Sequence, residues 1–236
     1  VSTTGFDLVV VGSGVAGLTA AIRAAGLGLR VAVVTKADLP RSATEWAQGG
    51  VAAVLDPTTD SVEDHLDDTL RAGAGLCDVE ATRVLVTEGP ARVQELIALG
   101  ARFDRDPAGG LLLAREGGHG RARVVHTGTA TGAEIERTLV AATVAAGIQT
   151  FEGRFLDALI VEHGRCSGVV VVGPDGSVVE LRAPHTILAS GGAGQLFAVT
   201  TNPPGATGDG IAAALRAGLV VADLEFVQFH PTALHT

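Results

Sequence analysis

An α/β fold, a parallel sheet with an antiparallel β-meander attached, is predicted by three features of the sequence. A Val-rich run at 6–11 ends in a glycine cluster, leads into a helix of small residues at 15–25 and is followed by a second Val-rich run at 30–34. Strand, tight turn, helix and strand form a βαβ unit, whose crossover sets the two strands parallel. Farther on, strand-like runs at 155–162, 168–172 and 178–181 are joined by His163-Gly164 and by Pro174-Asp175-Gly176, which read as hairpin turns.

Composition limits the function classes. The chain has 236 residues, 47% of them hydrophobic and 18% charged, which is ample apolar material for one large α/β domain and excludes a disordered chain. A net charge of −9 argues against a nucleic-acid binder that neutralises phosphates. No run of about 20 apolar residues offers a membrane span. The uncharged stretch 8–22 lacks a preceding basic region and is broken by glycines, so it is not read as a signal peptide. A cytoplasmic location is expected. Cys77 and Cys166 stand in no metal-ligand spacing and are read as buried thiols.

The remaining elements follow in order. Residues 40–50 are a polar loop, with a helix opening at Gln48-Gly49-Gly50. Ser61, with Asp64 three residues on, starts a helix to about Ala72. Asp78 caps another over 79–99, which Pro90 is expected to divide and Gly100 to end. Short strands are expected at 111–113 and 123–126, and a helix capped by Thr131 runs over 132–146. Residues 148–152 and 185–189 are further strands, 207–217 a helix, and 219–229 an extended segment.

Chemistry enters at the first turn. Gly12-Ser13-Gly14-Val15-Ala16-Gly17 fits G-x-G-x-x-G, directly after a strand and opening a helix, as in a Rossmann-like nucleotide site. The glycines let the backbone approach a pyrophosphate, and the helix N-terminus offers free N–H groups and the positive end of its dipole. The acidic residue that commonly grips the ribose after the second strand is missing: Thr35 and Lys36 stand there, and Lys36 is a candidate cofactor contact. The long loop to Gly50 suits a flavin laid across the sheet, with Gly49 and Gly50 approached by its ring. Thr186 to Ala189 with Ser190-Gly191-Gly192 reads as a later closing strand of the same site.

These motifs carry a resemblance. The stretches 9–18, Trp46-Ala47-Gln48-Gly49-Gly50-Val51-Ala52, 72–78, Arg115-Glu116-Gly117-Gly118-His119, Thr200-Thr201-Asn202-Pro203, Thr207-Gly208-Asp209-Gly210 and 223–232 resemble the L-aspartate oxidase family, relatives of the succinate dehydrogenase and fumarate reductase flavoproteins. The resemblance implies a Rossmann-like FAD-binding domain over 1–236 with an incomplete inserted capping region. It implies FAD held by Gly12, Ser13, Gly14, Val15, Ala16, Gly17, Lys36, Ala43, Thr44, Ala47, Gln48, Gly49, Gly50 and Asp209. Ala43 matches the position where respiratory succinate dehydrogenases carry the histidine that bonds FAD, so non-covalent FAD is implied. Asp209 is alternatively read as a cap of the following helix. Glu116 matches the glutamate that recognises the ammonium group of the substrate, and His230 and Thr232 match residues that bind a substrate carboxylate.

The implied reaction oxidises L-aspartate to iminoaspartate, with oxygen or fumarate as acceptor, in de novo NAD biosynthesis through quinolinate and in partnership with quinolinate synthase. No metal, nucleic acid or membrane is implied. The family's catalytic arginine, the rest of the capping domain and a C-terminal helical domain are expected beyond Thr236, so this chain alone is expected to turn over poorly. Thr129 replaces the family's usual Asp. Arg115, Arg121, Arg123 and His230, not net charge, are expected to draw the anionic substrate. The competing readings are a soluble fumarate reductase or succinate dehydrogenase flavoprotein, and a non-catalytic nucleotide-binding scaffold.

Overall fold

The computed structural model describes residues 5–229 in full and the backbone of Ser2 and Thr3. The strands are β1 (Ser2–Thr3), β2 (Leu8–Val11), β3 (Val31–Val34), β4 (Val51–Ala52), β5 (Leu113–Ala114), β6 (Val124–Val125), β7 (Gln149–Phe151), β8 (Phe155–Glu162), β9 (Arg165–Val172), β10 (Val178–Arg182) and β11 (His185–Leu188). The helices are α1 (Val15–Gly26), α2 (Val62–Ala72), α3 (Val79–Ala98), α4 (Thr131–Ala145) and α5 (Asp209–Arg216). Contacts divide the chain into two compact units: residues up to Trp46 together with those from Leu139 onward, and Ala47–Thr138.

The first unit holds the predicted βαβ unit. Its sheet runs β11-β2-β3-β7, and every neighbouring pair is parallel. All four residues of β2 and of β3 are buried, the pattern of strands covered on both faces. Val9, Val11, Ala32 and Val34 face one side and pack with Leu156, Val169, Val171 and Leu181. Those partners come from the second sheet of the unit, β1-β10-β9-β8, which contains the predicted antiparallel meander β8-β9-β10. On the opposite face lies α1, whose Leu18 and Ala21 are fully buried. The β8–β9 turn has positive φ at both His163 and Gly164, which matches the right-handed twist of a hairpin.

The second unit is built on α2, α3 and the three-stranded antiparallel sheet β4-β6-β5. The caps predicted for α2 and α3 form. Ser61 accepts a hydrogen bond from the Asp64 N–H, and Asp78 from the Ala81 N–H. Past Leu99, Gly100 adopts φ +101, and the Gly100 and Ala101 N–H groups donate back to Ile97 and Leu96, closing the helix end.

Five expectations are corrected. Thr131 does not cap α4 but is its first residue, and its hydroxyl accepts from the Thr127 N–H at 3.1 Å, closing the turn before the helix. Pro90 does not divide α3, which runs unbroken from Val79 to Ala98; a single missing N–H removes one bond from a ladder that its neighbours continue. Gln48-Gly49-Gly50 does not open a helix but leads into β4. A Cβ on Gly50 would lie 2.4 Å from the Val125 carbonyl oxygen, so glycine lets the chain pass close to β6 as a strand. Residues 219–229 join no strand and turn at Asp223, where the Phe226 N–H donates to the Asp223 carbonyl. Both thiols are free and only half-buried.

Candidate functional site

A cavity of about 540 Å³ opens in the first unit at the carboxyl ends of β2, β3 and β11. In open α/β sheets this is where ligands bind, and the volume falls within the roughly 300–1,000 Å³ of small-molecule sites. Its floor is the predicted glycine turn. Gly12 has φ +115, and a Cβ there would lie 2.1 Å from the Ala189 carbonyl oxygen. A Cβ on Gly17 would lie 2.0 Å from the Gly12 carbonyl oxygen. The first glycine thus lets β11 approach, and the last seats α1 against the turn. Thr44 accepts from the Val15 N–H at 2.9 Å. Among the described residues nothing accepts from the N–H of Ala16, an exposed residue that lines the cavity at the helix start, where an anion would be favoured.

Of the predicted cofactor residues, Gly12, Ser13, Gly14, Val15, Ala16, Lys36, Ala43, Thr44 and Asp209 line this cavity, and Gly17 supports its floor. Ser13 donates to Thr35 at 3.1 Å, tying the turn to the end of β3. Lys36 donates to Thr207 at 2.7 Å and forms an ion pair with Asp209. Asp209 is the first residue of α5, and Gly208 occupies the cap position, so the carboxylate serves Lys36 and Thr207 and does not cap the helix.

Several lining residues were not singled out from sequence. Arg154 lies just past β7; its N–H donates to the Thr35 carbonyl at 2.9 Å and its guanidinium to Ser177 at 2.7 Å. Leu156 and 203–206 complete the wall. Only the parallel pairing of β3 with β7, far apart in sequence, reveals Arg154. The donors at hand are backbone N–H groups, hydroxyls, Lys36 and two arginines, Arg41 and Arg154. With a glycine floor that side chains would fill, they fit a pyrophosphate-bearing dinucleotide such as FAD.

Ala47, Gln48, Gly49, Gly50 and Glu116 belong to the second unit. The Ala47 carbonyl accepts from the Gly132 N–H at 2.9 Å. Glu116 is exposed, in the turn that follows β5. Close by is a buried ionic cluster. Arg123 is fully buried and donates to both Asp60 oxygens at 2.7 and 2.8 Å and to Asp68 at 2.7 Å. The Gly120 N–H and then Arg123 hold Asp68 at about 2, against an ordinary 3.8. Asp60 is lowered chiefly by its hydrogen bonds from Arg123. Burial, and then the Arg123 charge, lowers the pKa of His65. The expectation that Arg123 draws the substrate is therefore corrected: its charge is enclosed and spent on two aspartates. His230 and Thr232 lie outside the described residues. Among the described residues, no group of His, Cys, Asp and Glu could hold a metal, and no helix is long and apolar enough to cross a membrane.

Comparison with known proteins agrees with this geometry. The chain is 58% identical over 234 residues to an L-aspartate oxidase of Streptomyces coelicolor, covering 97% of this chain and 40% of the relative. It is 51% identical to a chloroplastic L-aspartate oxidase of Arabidopsis thaliana, covering 99% and 36%. The chain thus spans about 40% of the length of the curated relatives it matches. Among solved structures, the Mycobacterium smegmatis Sdh1 complex in its apo form superposes with a TM-score of 0.87 at 38% identity, covering 92% of this chain and 39% of that one. A quinol fumarate reductase of E. coli gives 0.88 at 34%, covering 92% and 37%. A family model described as an FAD binding domain matches residues 7–236. Glycine turn, cavity and family match lead to one conclusion: the chain belongs to the FAD binding domain family.

Proposed function

We propose that this chain carries the FAD site and part of the substrate site of an enzyme that oxidises L-aspartate to iminoaspartate, with oxygen or fumarate as terminal acceptor. The observation that carries the cofactor half is the cavity floored by Gly12 and Gly17 at the start of α1. The relatives named L-aspartate oxidase support the substrate half.

FAD would be held by the turn of Gly12, Ser13, Gly14, Val15 and Ala16 with Gly17 behind it, and by Lys36, Ala43, Thr44 and Asp209; the family resemblance assigns Ala47, Gln48, Gly49 and Gly50 to FAD as well. When bound, it supplies the two-electron acceptor for the substrate's α-carbon hydride. Ala43 offers no nucleophile, so the cofactor is held non-covalently. Glu116 presents an anion to the substrate ammonium, while His230 and Thr232 bind a carboxylate. The product's place in quinolinate formation, a partnership with quinolinate synthase and a cytoplasmic location belong to the same proposal.

The test is a titration of the purified protein with FAD, read by the visible flavin band and flavin fluorescence. Saturable binding that trichloroacetic acid reverses, releasing free FAD, is expected. Absence of binding would sink the cofactor reading, and flavin retained in the acid pellet would sink the non-covalent one. Flavin bleaching of the FAD-loaded protein under anaerobic conditions by succinate but not by L-aspartate would favour a succinate dehydrogenase instead.

A further inference from the structure

The buried Arg123 cluster is close to the turn that carries Glu116. A guanidinium is costly to remove from water, and a well-packed apolar cluster usually serves stability as well or better. Here the cost is met by three hydrogen bonds to Asp60 and Asp68, all 2.7–2.8 Å long. Asp60 precedes α2 and Asp68 lies within it, so Arg123 fastens the entry to β6 onto that helix.

The same groups reach into the turn 115–120. Asp68 accepts from the Gly120 N–H at 2.6 Å. Arg123 lies 3.2 Å from the Nδ1 of His119. A guanidinium only donates, so this nitrogen accepts and the ring proton sits on Nε2. The turn is also closed on itself. The His119 N–H donates to the Glu116 carbonyl at 3.2 Å, and Arg115 donates to the His119 carbonyl at 3.1 Å. The imidazole of buried His65 lies 5.7 Å from that of His119 and backs it. At its other end the turn leaves β5, which is paired to β6. Both ends of an exposed glycine-rich turn are therefore held by buried structure, while Glu116 itself projects from its middle.

We propose that Asp60, Asp68 and Arg123 are positioning residues. They hold the Glu116 turn through His119 and Gly120, and so set the preference for an amine-bearing dicarboxylate over an amine-free one. The inference rests on the reading of Glu116 given above. A loosened clamp leaves the carboxylate present but spread over many positions, which weakens recognition of the ammonium and leaves recognition of the substrate's carboxylates as it was.

The experiment compares Glu116→Gln, Asp68→Asn and His119→Leu in the full FAD-loaded protein. It measures KM for L-aspartate, the inhibition constant of succinate, FAD affinity, and hydrogen exchange of the 117–120 amides. Asp68→Asn and His119→Leu are expected to raise KM for L-aspartate about tenfold. The succinate constant and FAD affinity should change less than about twofold, while the turn amides exchange faster. Equal weakening of both ligands, or no change in either, overturns the proposal. Should Asp68→Asn fail to take up FAD, His119→Leu, at the margin of the clamp, decides the matter by the same criteria. If Glu116→Gln leaves the ratio of the two constants unchanged, the reading of Glu116 fails and the clamp's role with it. If Glu116→Gln shifts that ratio while both other variants leave it alone, the clamp proposal alone is wrong.

Discussion

Gly12 and Lys36 act on the same cavity by different physics, one by leaving space and the other by supplying charge. A methyl group at Gly12 would sit 2.1 Å from a backbone oxygen of Ala189 with φ at +115, so neither atom can yield cheaply. Gly12→Ala is expected to cost about 3 kcal/mol or more and to abolish FAD binding. Gly28, also at positive φ but with open space around it, is the control. Gly28→Ala should cost only about 1 kcal/mol and leave FAD affinity unchanged. Urea denaturation and flavin titration of the two variants check this. Lys36 balances Asp209 inside the cavity. Lys36→Met leaves that carboxylate uncompensated in a cavity that would hold an anionic dinucleotide, so FAD affinity should fall about tenfold, and adding Asp209→Asn should restore most of it. Purely additive losses in the double variant would refute the coupling. At this scale the sequence was legible where chemistry is local. The glycine turn needs only its own six residues and the strand before it. Arg154 was invisible because β7 meets β3 only in the folded sheet. The role of Arg123 is not legible, because sequence displays a charge but not its burial.

Helices were more legible than the short strands. The ends of α2 and α3 are written in single residues, Ser61, Asp78 and Gly100, each of which does what its type predicts. Ser61→Ala is expected to lower stability by about 1 kcal/mol, because the Asp64 N–H loses its acceptor. The interior of α3 is less legible at Pro90, where local preference argues for a break and the rest of the twenty-residue helix overrides it. Its neighbour Gly89 remains a weak point, since a Cβ there would meet nothing within 4 Å. Gly89→Ala should therefore stabilise the second unit by about 0.5–1 kcal/mol, read as a rise in the urea midpoint. An unchanged or lowered midpoint would show that glycine and proline are needed together at that point of the helix. Two-residue strands such as β4 and β5 carry too little pattern to be assigned from sequence, because partners distant along the chain define them.

At the scale of the whole molecule, the two units differ in what fills their interiors. A buried core cluster of the first unit consists of uncharged Val, Ala and Leu. The second encloses Arg123, Asp60, Asp68 and His65. Acid acts on these interiors unequally. His65 is lowered below its ordinary 6.5 by burial, so the unfolded chain takes up a proton that the folded one resists, and stability starts to fall as pH drops through 6.5. Asp68 is lowered from 3.8 to about 2, so its contribution is complete above the unfolded value and is lost as pH falls from there towards 2. That shift alone corresponds to on the order of 2 kcal/mol, and Asp60 acts in the same direction. Arg123 would then stay charged in a buried site without anionic partners. Hydrogen exchange on acidification is therefore expected to rise first in α2 and β6, with the amides of β2 and β3 still protected. Asp68→Asn should flatten the loss between pH 4 and 2 while lowering stability at neutral pH. Simultaneous loss of protection in both units, unaltered by that substitution, would mean that the buried ionic cluster does not govern the acid response.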